Sequence, residues 1–190
     1  MAQDELHDIL EDLRSPRKEV RLAALERLHL LLREKEVDDR PIPDLVRAVA
    51  SDDVVERRLG SWALGKLAQN KVHSTYPLRG LVRLLDDEDE EVRENAAWTL
   101  GELTSLGIGE EAAIPPLNEL LVDPHPPVRG MAAWTLGRLA ERLKMGDPSS
   151  VPCLRRLLED PSLNARKSAI YALERLTAIG VRGGQTGPTS

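Results

Sequence analysis

An all-α fold, built as a stack of five helix pairs, is what this sequence predicts, and three observations carry the prediction. The segment AAWTLG occurs twice, at 96–101 and 132–137, and Ser61-Trp62-Ala63-Leu64-Gly65 is a worn third copy 36 residues further upstream. The 41% hydrophobic content includes only 3% aromatic residues and no Phe, so the core must come from Leu, Ala, Val and Ile. Small and straight-chain residues of that kind favour helices. No segment shows the period-two alternation of a half-buried strand.

The repeat runs through nearly the whole chain. Arg21, Arg57, Arg93 and Arg129 stand 36 residues apart, and Arg166 follows after 37. Six residues before each Arg is a helix-capping type: Ser15, Ser51, Asp87, Asp123 and Asp160. Leu28, Leu64, Leu100, Leu136 and Leu173 keep one register, and Leu31, Leu67, Leu103, Leu139 and Leu176 another. These give five repeats, over about 5–37, 38–74, 75–111, 112–149 and 150–180, expected as one domain over 1–180. The polar, Gly-rich stretch 181–190 is expected to be a disordered tail.

Within a repeat the first helix is short: LVRLL at 81–85, LNELL at 117–121, LRRLL at 154–158. Pro43, Pro77, Pro115, Pro116 and Pro152 lie at or near these starts, where a missing N–H costs little. The second helix is expected to begin at the Ser or Asp. Ser15-Pro16, Asp123-Pro124 and Asp160-Pro161 read as an N-cap followed by Pro at the first helical position. Gly180 is the expected C-cap of the last helix. One helix pair cannot bury its own apolar face, so neighbouring pairs must cover it.

A helical projection places the tryptophans. With Val92 at zero and roughly 100° per residue, Ala96, Leu100 and Leu103 cluster near about 40°, 80° and 20°. Trp98 falls near about 240°, away from its own repeat's core, with Glu94 and Gly101 at about 180–200°.

VRENAAWTLGEL and VRGMAAWTLGRL resemble the second helix of HEAT repeats, in particular the short bacterial and archaeal kind first noted in phycobilisome lyases. The matching pattern is Asp, then Val-Arg, then Ala-Ala, a variable residue, a small residue and Leu-Gly. Repeats three and four match best. Repeat two has Gly60 and Ser61 for the Ala pair, repeat five has Tyr171 and Glu174 for Trp and Gly, and repeat one has Glu26 and His29. Divergent end repeats suit caps.

The resemblance implies a right-handed superhelical α-solenoid whose second helices line a concave face. It puts the variable residue after Ala-Ala on that face, so Trp62, Trp98, Trp134 and Tyr171 would form a ladder there. Helices packed about 8–10 Å apart would space the rungs by that amount. Such rings suit a protein interface, where they offer large area at little entropy cost. Equally, a ring can lie flat across the seam between repeats, and one ring can do both. Arg58, Lys66, Glu94, Glu102, Arg138, Lys167 and Arg175 are expected beside the ladder. Their mixed signs suit a protein or peptide better than a phosphate backbone. The Asp–Arg series (Asp87/Arg93, Asp123/Arg129, Asp160/Arg166) reads as a structural tie between repeats, as in the resembling family.

Charge and motifs narrow the function. Net charge is −6 and the pI is near 5.3, against a chain dominated by phosphate contacts. Residues 1–111 carry 16 basic and 25 acidic residues, and 112–190 carry 10 and 7, so the second part has the composition to hold a local basic patch. DDEDEE at 86–91 lacks the spaced ligands and central Gly of a calcium loop and reads as a solvated cap on a helix N-terminus. His7, His29, His73 and His125 form no i, i+3 or i+4 pair, and His125 reads as a loop residue. Without a His-Glu dyad, the chain departs from the HEAT-type diiron deoxyhypusine hydroxylases. Cys153, the one cysteine, permits no intrachain disulfide and reads as core or semi-core. No Gly-rich phosphate loop, Gly-x-Ser-x-Gly or Cys-x-x-Cys occurs.

No apolar run approaches the roughly 18 residues of a membrane span, and the N-terminus is acidic and unlike a signal peptide. The expectation is a cytoplasmic, non-enzymatic adaptor or scaffold, favoured as a monomer, with no cofactor or metal, that holds a protein or peptide in its concave groove. The alternatives are a phycobilin-lyase-type or chaperone-like subunit, and a HEAT-like DNA-binding or alkylpurine glycosylase protein. Bilin absorbance and a salt-dependent DNA gel shift discriminate them.

Overall fold

The computed structural model describes residues 2–183; the tail expected over 181–190 therefore lies outside the described residues from 184 on. Among the described residues there are ten α-helices and no strand, in five consecutive pairs. The chain divides into two compact units, Met1–Leu106 and Gly107–Ser190.

In the N-terminal unit, α1 (Ala2–Leu13) pairs with α2 (Lys18–Glu34), α3 (Ile42–Ala48) with α4 (Val54–Gln69), and α5 (Leu78–Arg83) with α6 (Glu90–Leu103). In the C-terminal unit, α7 (Ile114–Leu120) pairs with α8 (Pro126–Arg138), and α9 (Ser150–Leu157) with α10 (Leu163–Ala178). The apolar registers behave as the sequence requires. Leu28, Leu64, Leu100 and Leu136 are buried, as are Leu31, Leu67, Leu103, Leu139 and Leu176. Leu173 alone among them is half-buried.

The starts of the second helices differ from expectation. Each helix begins two residues later, after an extended residue at Arg17, Asp53, Asp89, His125 or Ser162. Asp53 accepts hydrogen bonds from the N–H groups of Val55 and Glu56, Asp89 from Val92, and Ser162 from Ala165. Pro16, Pro124 and Pro161 thus sit in the loops rather than at a first helical position. The reason is a competing local bond. Ser15, Ser51, Asp87, Asp123 and Asp160 each accept the N–H two residues on, at 2.8–3.2 Å, which closes a turn before the helix can start.

That turn is where the arginine series binds. Arg57 Nη1 donates to the carbonyls of Ser51 and Asp52 in its own loop, at 3.1 and 3.0 Å. Its Nε and Nη2 reach the next repeat and hold both oxygens of Asp87, at 2.7 and 3.0 Å. Arg129 repeats the arrangement with Asp123, Pro124 and Asp160. Within each unit, the Asp–Arg tie between repeats is therefore a planar fork that fixes a loop and its neighbour at once. Asp87 and Asp89, inside the acidic run, spend their carboxylates on Arg57 and Arg58 of the preceding repeat. Their side chains are only 7% and 11% exposed, so the run is an inter-repeat clamp as well as a helix start, not simply a solvated cap.

The last helix closes as its glycine predicts. Gly180 takes a φ of +84°, its N–H reaches Thr177 O, and the Val181 N–H reaches Leu176 O at 2.9 Å. This is the paired-bond ending that a left-handed residue permits.

Candidate functional site

The four ladder positions lie on second helices and all are half-buried. In the N-terminal unit Trp62 and Trp98 stand side by side, with ring centroids 6.5 Å apart and planes tilted by 33°. This is closer than the helix spacing of the sequence expectation, because the rings lean toward each other across the seam. Trp98 and Tyr171 each rest on a glycine of the preceding repeat. A Cβ at Gly65 would meet Trp98 Cε3 at 2.6 Å, and one at Gly137 would meet Tyr171 Cδ1 at 2.6 Å. Within each unit the glycine of Leu-Gly, Gly65 or Gly137, is thus the seat of the next repeat's ring. Repeat one offers His29 at that position, and Trp62 stacks on the imidazole at 4.0 Å between centroids. Trp62, Trp98 and Tyr171 therefore each cover a seam within their unit and remain partly exposed.

Charges follow the rings at one helical turn on either side. Around Trp62 stand Arg58 and Lys66, around Trp98 Glu94 and Glu102, around Tyr171 Lys167 and Arg175; Arg138 follows Trp134. Not all are available to a partner. Arg58 is held by Asp89 at 2.8 Å and by Glu91 at 3.3 Å, and these carboxylates hold its guanidinium more firmly protonated than usual. Burial, then the neighbouring Glu91, pushes the Glu94 carboxyl above its ordinary value. Lys66 reaches only Gln69 on its own helix, at 2.8 Å, and Lys167 is exposed.

In the C-terminal unit the arginines lie over the rings. Arg138 sits 5.4 Å from the Trp134 centroid, and Arg175 5.4 Å from that of Tyr171. The Tyr171 hydroxyl donates to Glu141 at 3.0 Å. Glu141 also faces Arg138, Arg142 and Arg175 at 3.8, 3.4 and 3.8 Å. Burial and this carboxylate push the phenol upward from its usual value. Sequence reasoning missed Glu141, which sits at a helix end where the repeat register no longer guides the eye.

Two seam residues were also missed. Thr99 donates its hydroxyl to Ser61 O at 2.9 Å, fully buried, and Asn95 donates to Arg58 O at 3.2 Å. The Thr of AAWTLG was legible as a repeated residue, but nothing in sequence shows that it reaches the neighbouring helix. His125 precedes α8, with its ring nitrogen 3.2 Å from Asp123, and Cys153 is half-buried in α9. Among the described residues no group of three or more His, Cys, Asp or Glu side chains is placed to hold a metal. No helix among them is long and apolar enough to cross a membrane.

A half-buried ring on every second helix from the second pair on, with Trp98 and Tyr171 seated on a glycine of the preceding repeat and an Asp–Arg fork tying successive repeats within each unit, defines an α-helical repeat protein. Known protein families agree: HEAT repeats match residues 62–124 and 78–174, and the chain belongs to the HEAT-repeat family. Among curated protein sequences none matches. Among solved structures it is similar to a computationally designed armadillo repeat protein for modular peptide recognition, with 22% identity, a TM-score of 0.72 and coverage of 90% of this chain and 82% of that one. A designed armadillo repeat protein in complex with the peptide (KR)4 is similar at 22% identity and a TM-score of 0.69, over 92% and 87%. So is the complex of CpcE and CpcF of phycocyanin lyase from Nostoc sp. PCC7120, at 23% identity and a TM-score of 0.65, over 90% and 64%. At these identities the likeness is one of fold.

Proposed function

We propose that this protein is a non-enzymatic binding module that holds a protein or peptide partner on its second-helix surface. The observation that supports this most is the way the aromatic residues are exposed. Trp62, Trp98, Trp134 and Tyr171 recur on successive second helices, half-buried, with charged residues one turn away. Rings whose inner side is fixed by packing lose little entropy when the outer side binds. The designed neighbours that bind peptides use the same class of scaffold, which fits this reading.

The test is selection of binding peptides from a random library on the full chain, followed by titration of the best peptide against variants. The double variant Lys66→Glu/Lys167→Glu reverses two charges one turn from the rings, half-buried at Lys66 and exposed at Lys167. Loss of peptide affinity by about tenfold at unchanged melting temperature supports the site. Unchanged affinity in that variant and in Glu102→Lys places binding elsewhere. Visible absorbance after co-expression with a bilin would replace this reading with a lyase-type one.

A further inference from the structure

A cavity of about 300 Å³ opens between the first two repeats, and none of the residues that line it is aromatic. Its origin is a break in the arginine series. At the later seams an aspartate, Asp87 or Asp160, both closes its own loop and takes the fork of the preceding arginine. At the first seam the corresponding residue is Ser51. Its single oxygen accepts the Asp53 N–H at 3.1 Å and closes the loop, which leaves no second oxygen for Arg21.

Arg21 turns elsewhere. Its Nε and Nη2 converge on one oxygen of Glu56, each at 2.9 Å, while Nη1 keeps the loop carbonyls of Ser15 and Pro16. Glu56 stands where the other second helices carry Val20, Val92, Val128 and Ala165, and it is only 4% exposed. The two departures, Ser51 for Asp and Glu56 for an apolar residue, belong together. They remove a carboxylate from the fork position and keep Arg21 neutralised from the side. The space of the missing carboxylate is part of the cavity.

The walls state what fits. Leu13, Leu25 and Ala48 supply an apolar side. At the mouth, Arg14 and Arg47 both bind the buried Asp44, at 3.3 and 2.5 Å, and each is 60% exposed with further N–H groups to offer. Ser51 and Ser15 each accept from the backbone and retain an O–H to donate. Three guanidinium groups against the carboxylates of Asp44 and Glu56 leave one positive charge. The spare groups are donors, and the uncompensated charge is single. We propose that this cavity is a binding site for a small organic monocarboxylate, with its carboxylate beside Ser51, in the space that the aspartate carboxylate fills at the later seams, facing Arg14 and Arg47 at the mouth, and its apolar body against Leu13 and Leu25. A dianion would leave excess negative charge beside Asp44 and Glu56.

The experiment uses the full chain and benzoate as the probe, followed by backbone amide NMR shifts. Benzoate should give saturable shifts at Leu13, Ser15 and Ala48, and benzamide, its neutral analogue, should not. The variant Ser51→Asp/Glu56→Val rebuilds the later seams at this position, so it should fold. It should weaken benzoate binding by about tenfold or more. Arg14→Gln, at the exposed mouth, should weaken it by a smaller factor. The proposal is overturned by no saturable shift with benzoate, by equal binding of benzamide, by unchanged binding in the rebuilt seam, or by inorganic phosphate saturating the same amides more tightly.

Discussion

The two units use one device in two electrostatic settings. In the N-terminal unit the ring row His29–Trp62–Trp98 stands beside Glu91, Glu94 and Glu102, and its arginine, Arg58, is already held by Asp89 and Glu91. In the C-terminal unit Trp134 and Tyr171 each carry an arginine over the ring, with Glu141 shared among Arg138, Arg142 and Arg175. The seats differ too: imidazole under Trp62, glycine under Trp98 and Tyr171. The repeat specifies where a ring stands. Residues one turn away, and one repeat back, decide what charge surrounds it and how firmly it is held.

The largest expected effect breaks the forks. Asp160→Ala strands Arg129, which is 14% exposed, without its carboxylate partner. Urea unfolding of the C-terminal unit should show a loss of about 3 kcal/mol. Lys18→Ala, which removes an exposed partner of Asp53 in the other unit, should leave the unfolding curve of that unit nearly unchanged, because solvent screens the pair. Equal losses would remove the distinction between buried fork and surface pair.

The glycine seats come next. Gly65→Ala and Gly137→Ala push a Cβ into Trp98 and Tyr171, against a helix-propensity gain of about 1 kcal/mol. A net loss of about 1–3 kcal/mol is expected at each site, read by chemical denaturation. A stability gain at both would mean the rings can leave their seats freely.

Acid should separate the units. Burial lowers the His29 pKa below the ordinary imidazole value, so the folded state favours neutral His29. Between the unfolded value of about 6.5 and the lower folded value the unfolded chain binds more protons, so stability falls as pH falls there. Asp160 is held below the usual carboxylate range, first by its hydrogen bond to Arg129. Its contribution is complete above the unfolded value of about 4 and is lost only as pH drops through the depressed folded value. Thermal melts followed at Trp98 should therefore weaken at milder acidity than melts followed at Trp134. His29→Gln should delay the N-terminal loss to the carboxylate range; an unchanged profile would clear His29 of the effect.

The smallest effect reads the charge contrast directly. With single-tryptophan variants made by Trp→Phe changes, Trp134 beside Arg138 should be quenched better by iodide than by caesium. Trp98, beside Glu94 and Glu102, should show the reverse preference. Identical ratios for the two would mean the flanking charges do not set the local field.

Much of the architecture was legible because a repeat reports itself five times. The leucine registers, the short first helices and the glycine ending at Gly180 all follow from spacing and local propensity. The starts of the second helices were misplaced by two residues, since Ser15 or Asp160 looks the same whether it caps a helix or closes a turn before one. The candidate surface was half legible. The aromatic positions could be named from the repeat, but their seats on Gly65, Gly137 and His29 could not, nor could the capture of Arg58 by Asp89.

By itself the sequence determined that the chain is helical, that it repeats, and which residues recur at each register, because these are matters of period and composition along one chain. Only the tertiary structure decided which side of each ring is covered, which arginines remain for a partner, and that Ser51 with Glu56 opens a cavity at the first seam. Those outcomes depend on pairs about 30 or more residues apart meeting at hydrogen-bond distance, and a single sequence without its fold does not report which of two equivalent partners a side chain will choose.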